Sequence, residues 1–260
     1  MRIDNYLDSP NVEVADHKGI FRSIRYLRDL SVANEEAMTK FYQAQMEVNP
    51  RQLYIELSGS TSVHIIPGAM QMSLGDIKMT TGVKGVGDFI GKKFTAMTTG
   101  ASVIHPLYTG SGVIITEPTY NHKIIVNIGE SKEGLVIRDG MLYAYESTID
   151  IRPVPIESVS GALFGGKGLF NLGLKGAGYA VLESPLPMSE IVKVTLSGNQ
   201  EELRVDGPFA VMWDKSLRHT VERSSKSFIG SAVSGEGLVN VYRGSGSVWL
   251  ELTAYTRAQI

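Results

Sequence analysis

Segments in which apolar and polar residues alternate recur along this chain of 260 residues. The clearest are residues 53–57 (LYIEL), 123–128 (KIIVNI), 192–196 (VKVTL) and 248–252 (VWLEL). Alternation with period two places every second side chain on one face of a β-strand, and Gly, Pro, Asn and Asp separate the segments as turn residues do. The pattern predicts an all-β protein of sandwiches or short β-rolls, without βαβ units.

One segment near the N-terminus has helical character instead. Asn34 can cap a helix, Glu35 and Glu36 complement its positive end, and Asn49-Pro50 stops it. We predict a helix over about residues 35–47, within an N-terminal extension of residues 1–47. The residues expected on or beside its apolar face are Ala37, Met38, Phe41, Tyr42 and Ala44.

A pattern of Gly-x-Gly, four residues and Glu occurs three times, at intervals of 66 and 68 residues. A two-residue turn precedes a strand-like segment in each unit, at Pro67-Gly68, Asp139-Gly140 and Asp206-Gly207. Further glycine-led segments begin at Gly100, Gly166 and Gly235 in the same order. The three matches are Gly110/Gly112/Glu117, Gly176/Gly178/Glu183 and Gly244/Gly246/Glu251.

Agreement between these landmarks predicts a triplicated β unit, with repeats over residues 48–117, 118–185 and 186–255. A unit of this size is marginally stable alone, so we expect the repeats to share cores and to fold as one body. A ring-like arrangement would let each open sheet edge be covered by its neighbour. In the closing strand we expect Val248, Leu250 and Leu252 to line one face.

Composition narrows the class of protein. The formal charge of −2 gives no basic field for nucleic acid or anionic lipid. The chain has no cysteine, which excludes disulfides, thiolate metal sites and thiol nucleophiles. No apolar run is long enough to span a membrane, and the acidic start MRIDNYLDSP does not fit a signal or transit peptide, so we expect a cytoplasmic protein.

Two glycine-rich segments resemble nucleotide-binding loops. Gly161, Gly166 and Lys167 match the phosphate-binding G-x-x-x-x-G-K-[ST] pattern, but Gly168 stands where the pattern needs a hydroxyl, and the following residues are not helical. The segment GVGDFIG at residues 85–91 has one residue too many for a dinucleotide fingerprint. We interpret both as turns or loops between strands.

Other candidate residues are scattered. No pair of histidines has metal-ligand spacing, although distant ligands could converge. Glu117, Glu183 and Glu251 could form a carboxylate cluster on a threefold axis, but strand-end glutamates are more often solvated or ion-paired. Trp213 and Trp249 lie in alternating strands, which favours packing over base stacking. The five histidines are His17, His64, His105, His122 and His219.

The repeat motifs carry a resemblance. The segments IIPGAM (65–70), DIKMTTG (76–82), GGKGLFN (165–171), SGEGLV (234–239) and GSGSVWL (244–250) resemble a widespread family of uncharacterised bacterial and archaeal proteins, which includes a fungal mitochondrial protein named for altered inheritance of mitochondria. The resemblance covers about residues 50–255. It implies three short double-stranded β-helix domains, like those of the tryptophan RNA-binding attenuation protein, in a homotrimer that mimics a larger ring. It implies no catalytic residues.

Three functions remain open. The first is a non-enzymatic homotrimeric ring that acts as a scaffold or interaction protein, with an unknown protein partner. The second is binding of a small ligand between repeats, with RNA binding less favoured because no Lys/Arg row recurs at the repeat period. The third is a cupin-like metal enzyme. The sequence nominates no catalytic, cofactor-binding or metal-binding residue and implies no cofactor.

Overall fold

The four alternating segments lie largely in β-strands of the structure, a computed structural model that describes residues 2–81, 105–158, 170–223 and 238–254. The protein is mostly β, with one short α-helix, α1 (Ala37–Gln45), so the expected all-β class is confirmed at this level. In chain order the strands are β1 (Val12–Lys18), β2 (Phe21–Tyr26), β3 (Arg51–Ser58), β4 (Val63–Ile65), β5 (Met70–Thr80), β6 (Leu107–Thr116), β7 (His122–Asn127), β8 (Leu135–Ile137), β9 (Leu142–Glu146), β10 (Ile149–Pro155), β11 (Glu157–Ser158), β12 (Phe170–Gly176), β13 (Tyr179–Ser184), β14 (Val192–Asp206), β15 (Ala210–Asp214), β16 (Arg218–Arg223) and β17 (Leu238–Leu250).

The strands form two sheets. The first runs β1-β2-β3-β6-β4-β9-β13-β7, with β5 paired to β6. The second runs β10-β12-β8-β15-β17-β16-β11, with β14 paired to β17. Only the short pair β11–β16 is parallel among the described strands, which agrees with the expected absence of βαβ units.

The N-terminal extension contains more than the predicted helix. Strands β1 and β2 form an antiparallel hairpin that turns at Gly19, and β2 pairs with β3. The hairpin therefore extends the first sheet, and Phe21 and Ile24 are fully buried within it. The sequence-based description of a helical extension missed this hairpin because β1 is largely exposed and lacks a clear apolar alternation.

The helix is close to its predicted bounds, but its orientation was not expected. A 3₁₀ turn (Asn34–Glu36) precedes α1, and the N-cap residue of this turn is Ala33 instead of the predicted Asn34. Lys40 and Gln43 face the protein, whereas four apolar side chains, three of them predicted on or beside the apolar face, point into solvent with exposures between 59% and 76%. These exposed residues are Met38, Phe41, Tyr42 and Met46. Polar contacts hold the helix instead, since Lys40 pairs with Asp29 at 2.8 Å.

In chain order the strands after β1 fall into three strand sets, β2–β6, β7–β13 and β14–β17. Three main apolar clusters form the core, and each combines residues of one set with residues of a neighbouring set. The first is built mainly on β2–β6 and includes Tyr143 and Val181. The second is built mainly on β7–β13 and includes Val211 and Met212 of β15. The third is built mainly on β14–β17 and includes Val136 of β8. Because each cluster contains residues of two strand sets, burial of these side chains holds each set against the next.

The Gly-x-Gly pairs are sites of close backbone approach. All six glycines have φ between 111° and 153°. A Cβ at Gly112 would lie 2.1 Å from the carbonyl oxygen of Leu74, and one at Gly176 would lie 2.4 Å from that of Thr148. Only glycine fits such contacts. Val248 and Leu250 are buried as expected, but Leu252 lies beyond β17 and is exposed, so its predicted place on the same face is wrong.

The strand sets are joined at two junctions. In the first junction, where β4 pairs with β9, the N–H of Ile66 donates to the carbonyl of Tyr143 and the N–H of Ser147 donates to that of Ser62, each at 3.0 Å. Tyr143 sits at a register shift of β9, where β13 has no residue opposite it. This junction fixes the start of β9 against the end of β4.

The second junction, where β8 pairs with β15, has the same hydrogen bonds. The N–H of Arg138 donates to the carbonyl of Val211, and the N–H of Lys215 donates to that of Gly134, again at 3.0 Å. Val211 sits at a register shift of β15, as Tyr143 does in β9. On the β8 side, the two bonded residues lie 72 positions after their counterparts on the β4 side of the first junction. On the β15 side, they lie 68 positions after their counterparts on the β9 side.

Candidate functional site

Several sequence candidates fall outside the described residues or are separated in space. The segments GALFGGKG (161–168) and GVGDFIG (85–91) lie outside the described residues. Within the described part of the chain, no group of three or more His, Cys, Asp or Glu side chains is placed to hold a metal ion. In that same part, no helix has the length and apolar character needed to cross a bilayer.

The histidines divide between the two sheets. His64 and His105 meet around Tyr145, where the ring of His64 stacks at 4.7 Å and its Nδ1 lies 3.0 Å from the carbonyl of His105. Burial lowers the pKa of His105 to about 4. His219 stacks on Tyr242 in the second sheet and its Nε2 lies 2.9 Å from Asn240. Each ring is held by packing, as expected for structural histidines.

The tryptophans also have packing roles. Trp213 is buried and contacts the rings of His219 and Tyr242, as predicted. Trp249 is half-buried and lies under the ammonium group of Lys193 at 4.9 Å. Neither forms an open stacking platform.

The three repeat glutamates occupy the same backbone position but have different side-chain partners. The N–H groups of Glu117, Glu183 and Glu251 donate to the residue directly before the strand that follows each turn, at 2.7, 2.8 and 2.9 Å. The acceptors are the carbonyls of Ala69, Met141 and Phe209. Glu117 is exposed, whereas Glu183 and Glu251 are ion-paired. The expectation of ion-paired or solvated residues describes all three.

Glu183 belongs to a buried polar cluster with Lys123, Thr119 and Tyr143. The ammonium of Lys123 is completely buried, pairs with Glu183 Oε1 and lies 3.8 Å from the ring centre of Tyr143. Thr119 donates to the same oxygen at 2.8 Å. Burial lowers the pKa of Lys123 and the carboxylate of Glu183 partly offsets that effect.

Tyr143 adds an unusual polar group to this cluster. Its hydroxyl is buried and has no hydrogen-bond partner of normal geometry among the described residues, although Thr116 is close enough to influence its ionisation. Burial raises the pKa of Tyr143 to about 12. An unpaired buried hydroxyl is costly and calls for a further partner.

A cleft of about 150 Å³ lies beside this cluster at the first junction. Glu183, Asp139 and His105 supply its polar lining, together with Tyr143. The remaining walls are Ile66, Pro67, Gly140, Leu142 and Leu172. The cleft therefore combines two acidic residues with an apolar wall and a buried tyrosine.

At the second junction Arg138 occupies the corresponding place. Its Nη2 lies 2.5 Å from Glu251 Oε1, and the carboxylate is almost completely buried. Ile66 stands in the first junction where Arg138 stands in the second, as their matching backbone hydrogen bonds show. Three of these residues were not identified as candidates from the sequence, namely Lys123, Tyr143 and Arg138. A lysine inside the apolar segment of β7 is the one signal that could have been used.

These features define a mostly β protein whose successive strand sets meet at two junctions, the second of which contains the ion pair of Arg138 and Glu251. The chain belongs to the family described as mitochondrial biogenesis AIM24, whose model matches residues 42–251. An uncharacterised protein of Streptococcus pyogenes serotype M6 is 26% identical over 205 residues, which cover 76% of this chain and 79% of that protein. A crystal structure of a Streptococcus pyogenes protein shares the fold with a TM-score of 0.60 at 23% identity, covering 78% of this chain and 88% of that one.

Proposed function

We propose that this protein is a non-enzymatic scaffold that assembles into a ring through its open strand edges. The observation that carries the proposal is the edge of β5. Among the described residues β5 pairs only with β6, whereas the corresponding strands β9 and β15 each have a partner on both sides. An unpaired strand edge is a template for pairing with another chain.

A second open edge lies at the other end of the chain. The last residues of β14 correspond to β4 and β8, and among the described residues β14 pairs only with β17. The displacements of 72 and 68 residues that relate the two junctions predict a third junction between β14 of one copy and β5 of the next. There the N–H of Asp206 would donate to the carbonyl of Gln71, and the N–H of Gly75 to that of Glu202.

The recurrence of the junction geometry supports the three proposed repeats over residues 48–117, 118–185 and 186–255. Register shifts occur at Gln71, Tyr143 and Val211, the same position in each repeat. In the second and third repeats the shifted strand pairs on its other side with a strand of the preceding repeat. In the first repeat that other side is the open edge of β5. Three copies and a fold like that of the tryptophan RNA-binding attenuation protein remain proposals taken from the family resemblance, and the cytoplasmic location stays a prediction.

Light scattering after size-exclusion chromatography tests the ring. We expect a closed oligomer with three times the mass of the chain at micromolar concentration, and a stable monomer would overturn the proposal. Ser73→Pro provides the sharper test, because Ser73 lies between the two β5 residues predicted to bond across the third junction, and proline blocks pairing at a free edge. Ser73→Ala is the matched control. Proline should dissociate the oligomer while leaving the circular dichroism spectrum of the monomer unchanged.

A second candidate function, binding of a small ligand between repeats, is favoured by the cleft at the first junction. A thermal-shift screen of small metabolites tests it, and the absence of any stabilising compound would argue against it. For RNA binding or a cupin-like metal enzyme, nothing in the described residues offers comparable support.

A further inference from the structure

We propose that the cleft at the first junction binds a small organic cation, a guanidinium or primary ammonium group on a short alkyl chain, between Glu183 and Asp139. This inference rests on the second candidate function above and names the chemistry of its ligand. Both carboxylates line the cleft, which also has an apolar wall that includes Ile66, Leu142 and Leu172.

The protein itself shows which group fits this place. At the second junction the guanidinium of Arg138 reaches the glutamate that corresponds to Glu183, namely Glu251. At the first junction the residue in the position of Arg138 is Ile66, which carries no charge. The backbone hydrogen bonds of the two junctions match, so a free guanidinium at the first junction would occupy the site that a covalent guanidinium occupies at the second.

The charge of the cleft agrees with a cationic ligand. Lys123 neutralises one carboxylate through Glu183 Oε1, and among the described residues no hydrogen bond engages Oε2. Asp139 is exposed and adds a second negative charge to the lining. Because burial keeps His105 neutral near pH 7, the lining contributes no positive charge of its own.

The hydroxyl of Tyr143 supplies an independent indication of a ligand. This residue lines the cleft, only 2% of its surface is exposed, and among the described residues its hydroxyl has no hydrogen bond of normal geometry, although the Thr116 side chain lies near it. The hydroxyl oxygen can accept a hydrogen bond from an N–H group of a guanidinium or ammonium ion. A volume of about 150 Å³ admits a ligand of a few non-hydrogen atoms.

Propylguanidinium chloride is the probe, and NMR chemical-shift titration of the full-length protein is the measurement. We expect a dissociation constant below about 1 mM, within the range for a ligand of so few atoms. The uncharged propylurea should bind at least about tenfold more weakly. N-acetylarginine amide separates two sources of the same chemistry: binding as tight as that of the probe would point to an arginine of another polypeptide, and exclusion would point to a free small molecule.

Two variants make the test specific. Ile66→Arg places a guanidinium where Arg138 lies in the second junction, so it should abolish binding of the probe, whereas Leu252→Arg, which adds an arginine at an exposed position outside the cleft, should bind as the wild type does. Asp139→Asn, at an exposed position that should not affect folding, should weaken binding about tenfold. No saturable binding of propylguanidinium below about 10 mM would overturn the proposal. Binding of propylurea or butyrate in its place would overturn the cation while leaving a ligand-binding function standing.

Discussion

The guanidinium of Arg138 lies 2.5 Å from the carboxylate of Glu251, and the pair joins strand sets that the sequence pattern assigns to different repeats. The carboxylate is almost completely buried, so its charge depends on this one partner among the described ion pairs. Removing a single member of a buried pair leaves an uncompensated charge, which costs more than the pair itself contributes. The pair is therefore a point at which the second and third strand sets depend on each other.

Arg138→Ala should lower the free energy of unfolding by about 2–4 kcal/mol, because it leaves Glu251 buried and unpaired. Urea denaturation followed by circular dichroism measures the change. Arg218→Ala is the control, because Arg218 pairs with Glu157 on the surface at 3.1 Å with both side chains well exposed. Its effect should stay within about 0.5 kcal/mol, and equal losses in the two variants would show that Arg138 has no special role.

Gly246→Val tests the second glycine of the last Gly-x-Gly pair. A Cβ at Gly246 would lie 2.9 Å from the Cβ of Asp214 and about as close to Ser216 and Leu217, at φ 153°. We expect a loss of more than about 3 kcal/mol, or failure to fold, from clash added to backbone strain.

Gly59→Ala is the control for Gly246→Val, because it adds backbone strain without a steric clash. Gly59 also has positive φ, but no described atom lies within 4 Å of the place that a Cβ would take there. Strain alone should cost about 1–2 kcal/mol. A Gly246→Val variant no less stable than Gly59→Ala would contradict the close packing of β17 against the turn after β15.

The sequence predicted the strands better than it predicted their contacts. Alternation located β3, β7, the start of β14 and the end of β17, although in β3 and β7 residues on both faces are buried. It could not show which strand is the neighbour of which, since pairing depends on distant residues. The Lys123–Glu183 pair is such a case, because the two residues are adjacent only after β7 pairs with β13.

For the helix, the sequence predicted the position in the chain but not the orientation of its side chains. Its bounds followed from local signals, but Met38, Phe41 and Tyr42, which were predicted on or beside its apolar face, are exposed to solvent. Local pattern predicts a buried apolar face when a core is available, whereas here Lys40 and its partners Asp29 and Tyr120 fix the polar face against the protein. A network of charged hydrogen bonds overrode the hydrophobic pattern.

Phe41→Ser should therefore leave the free energy of unfolding of the isolated chain unchanged within about 0.5 kcal/mol. Phe21→Ala, at a fully buried aromatic residue of β2, should cost about 3–5 kcal/mol. Thermal and urea denaturation of both variants provides the comparison. A large loss for Phe41→Ser would show that the helix packs through its apolar face after all.

Acid should destabilise the fold through two histidines. Burial lowers the pKa values of His105 and His122 from 6.5 to about 4, with nearby positive charges of Arg51 and Arg25 adding to the effect at His122. The unfolded chain therefore takes up these protons at higher pH than the folded chain does. The stabilisation present above pH 6.5 should be lost progressively as the pH falls from 6.5 to about 4.

Urea midpoints measured at intervals between pH 7 and pH 4 test this dependence. The double variant His105→Asn, His122→Asn cannot take up these protons, so its stability should vary less across the same interval. If the double variant keeps the full pH dependence of the wild type, the acid sensitivity belongs to other groups.

The proposed third junction makes an electrostatic prediction. Asp206 corresponds to Arg138 and Ile66, and Glu117 corresponds to Glu251 and Glu183. A closed ring would therefore bring Asp206 of one copy close to Glu117 of the next, and two like charges at a partly desolvated interface repel each other. The interface between copies should be the weakest of the three junctions for this reason.

Asp206→Arg should reverse that effect by creating between copies the ion pair that Arg138 and Glu251 form within the chain. We expect the oligomer to dissociate at a concentration at least about tenfold lower than the wild type, measured by sedimentation velocity over a dilution series. Adding Glu117→Gln to this variant removes the new partner and should cancel most of the gain. A charge swap at an unrelated exposed site, Asp150→Arg, should leave assembly unchanged. Weaker assembly of Asp206→Arg than of the wild type would show that β14 does not meet β5 in the register set by the first two junctions.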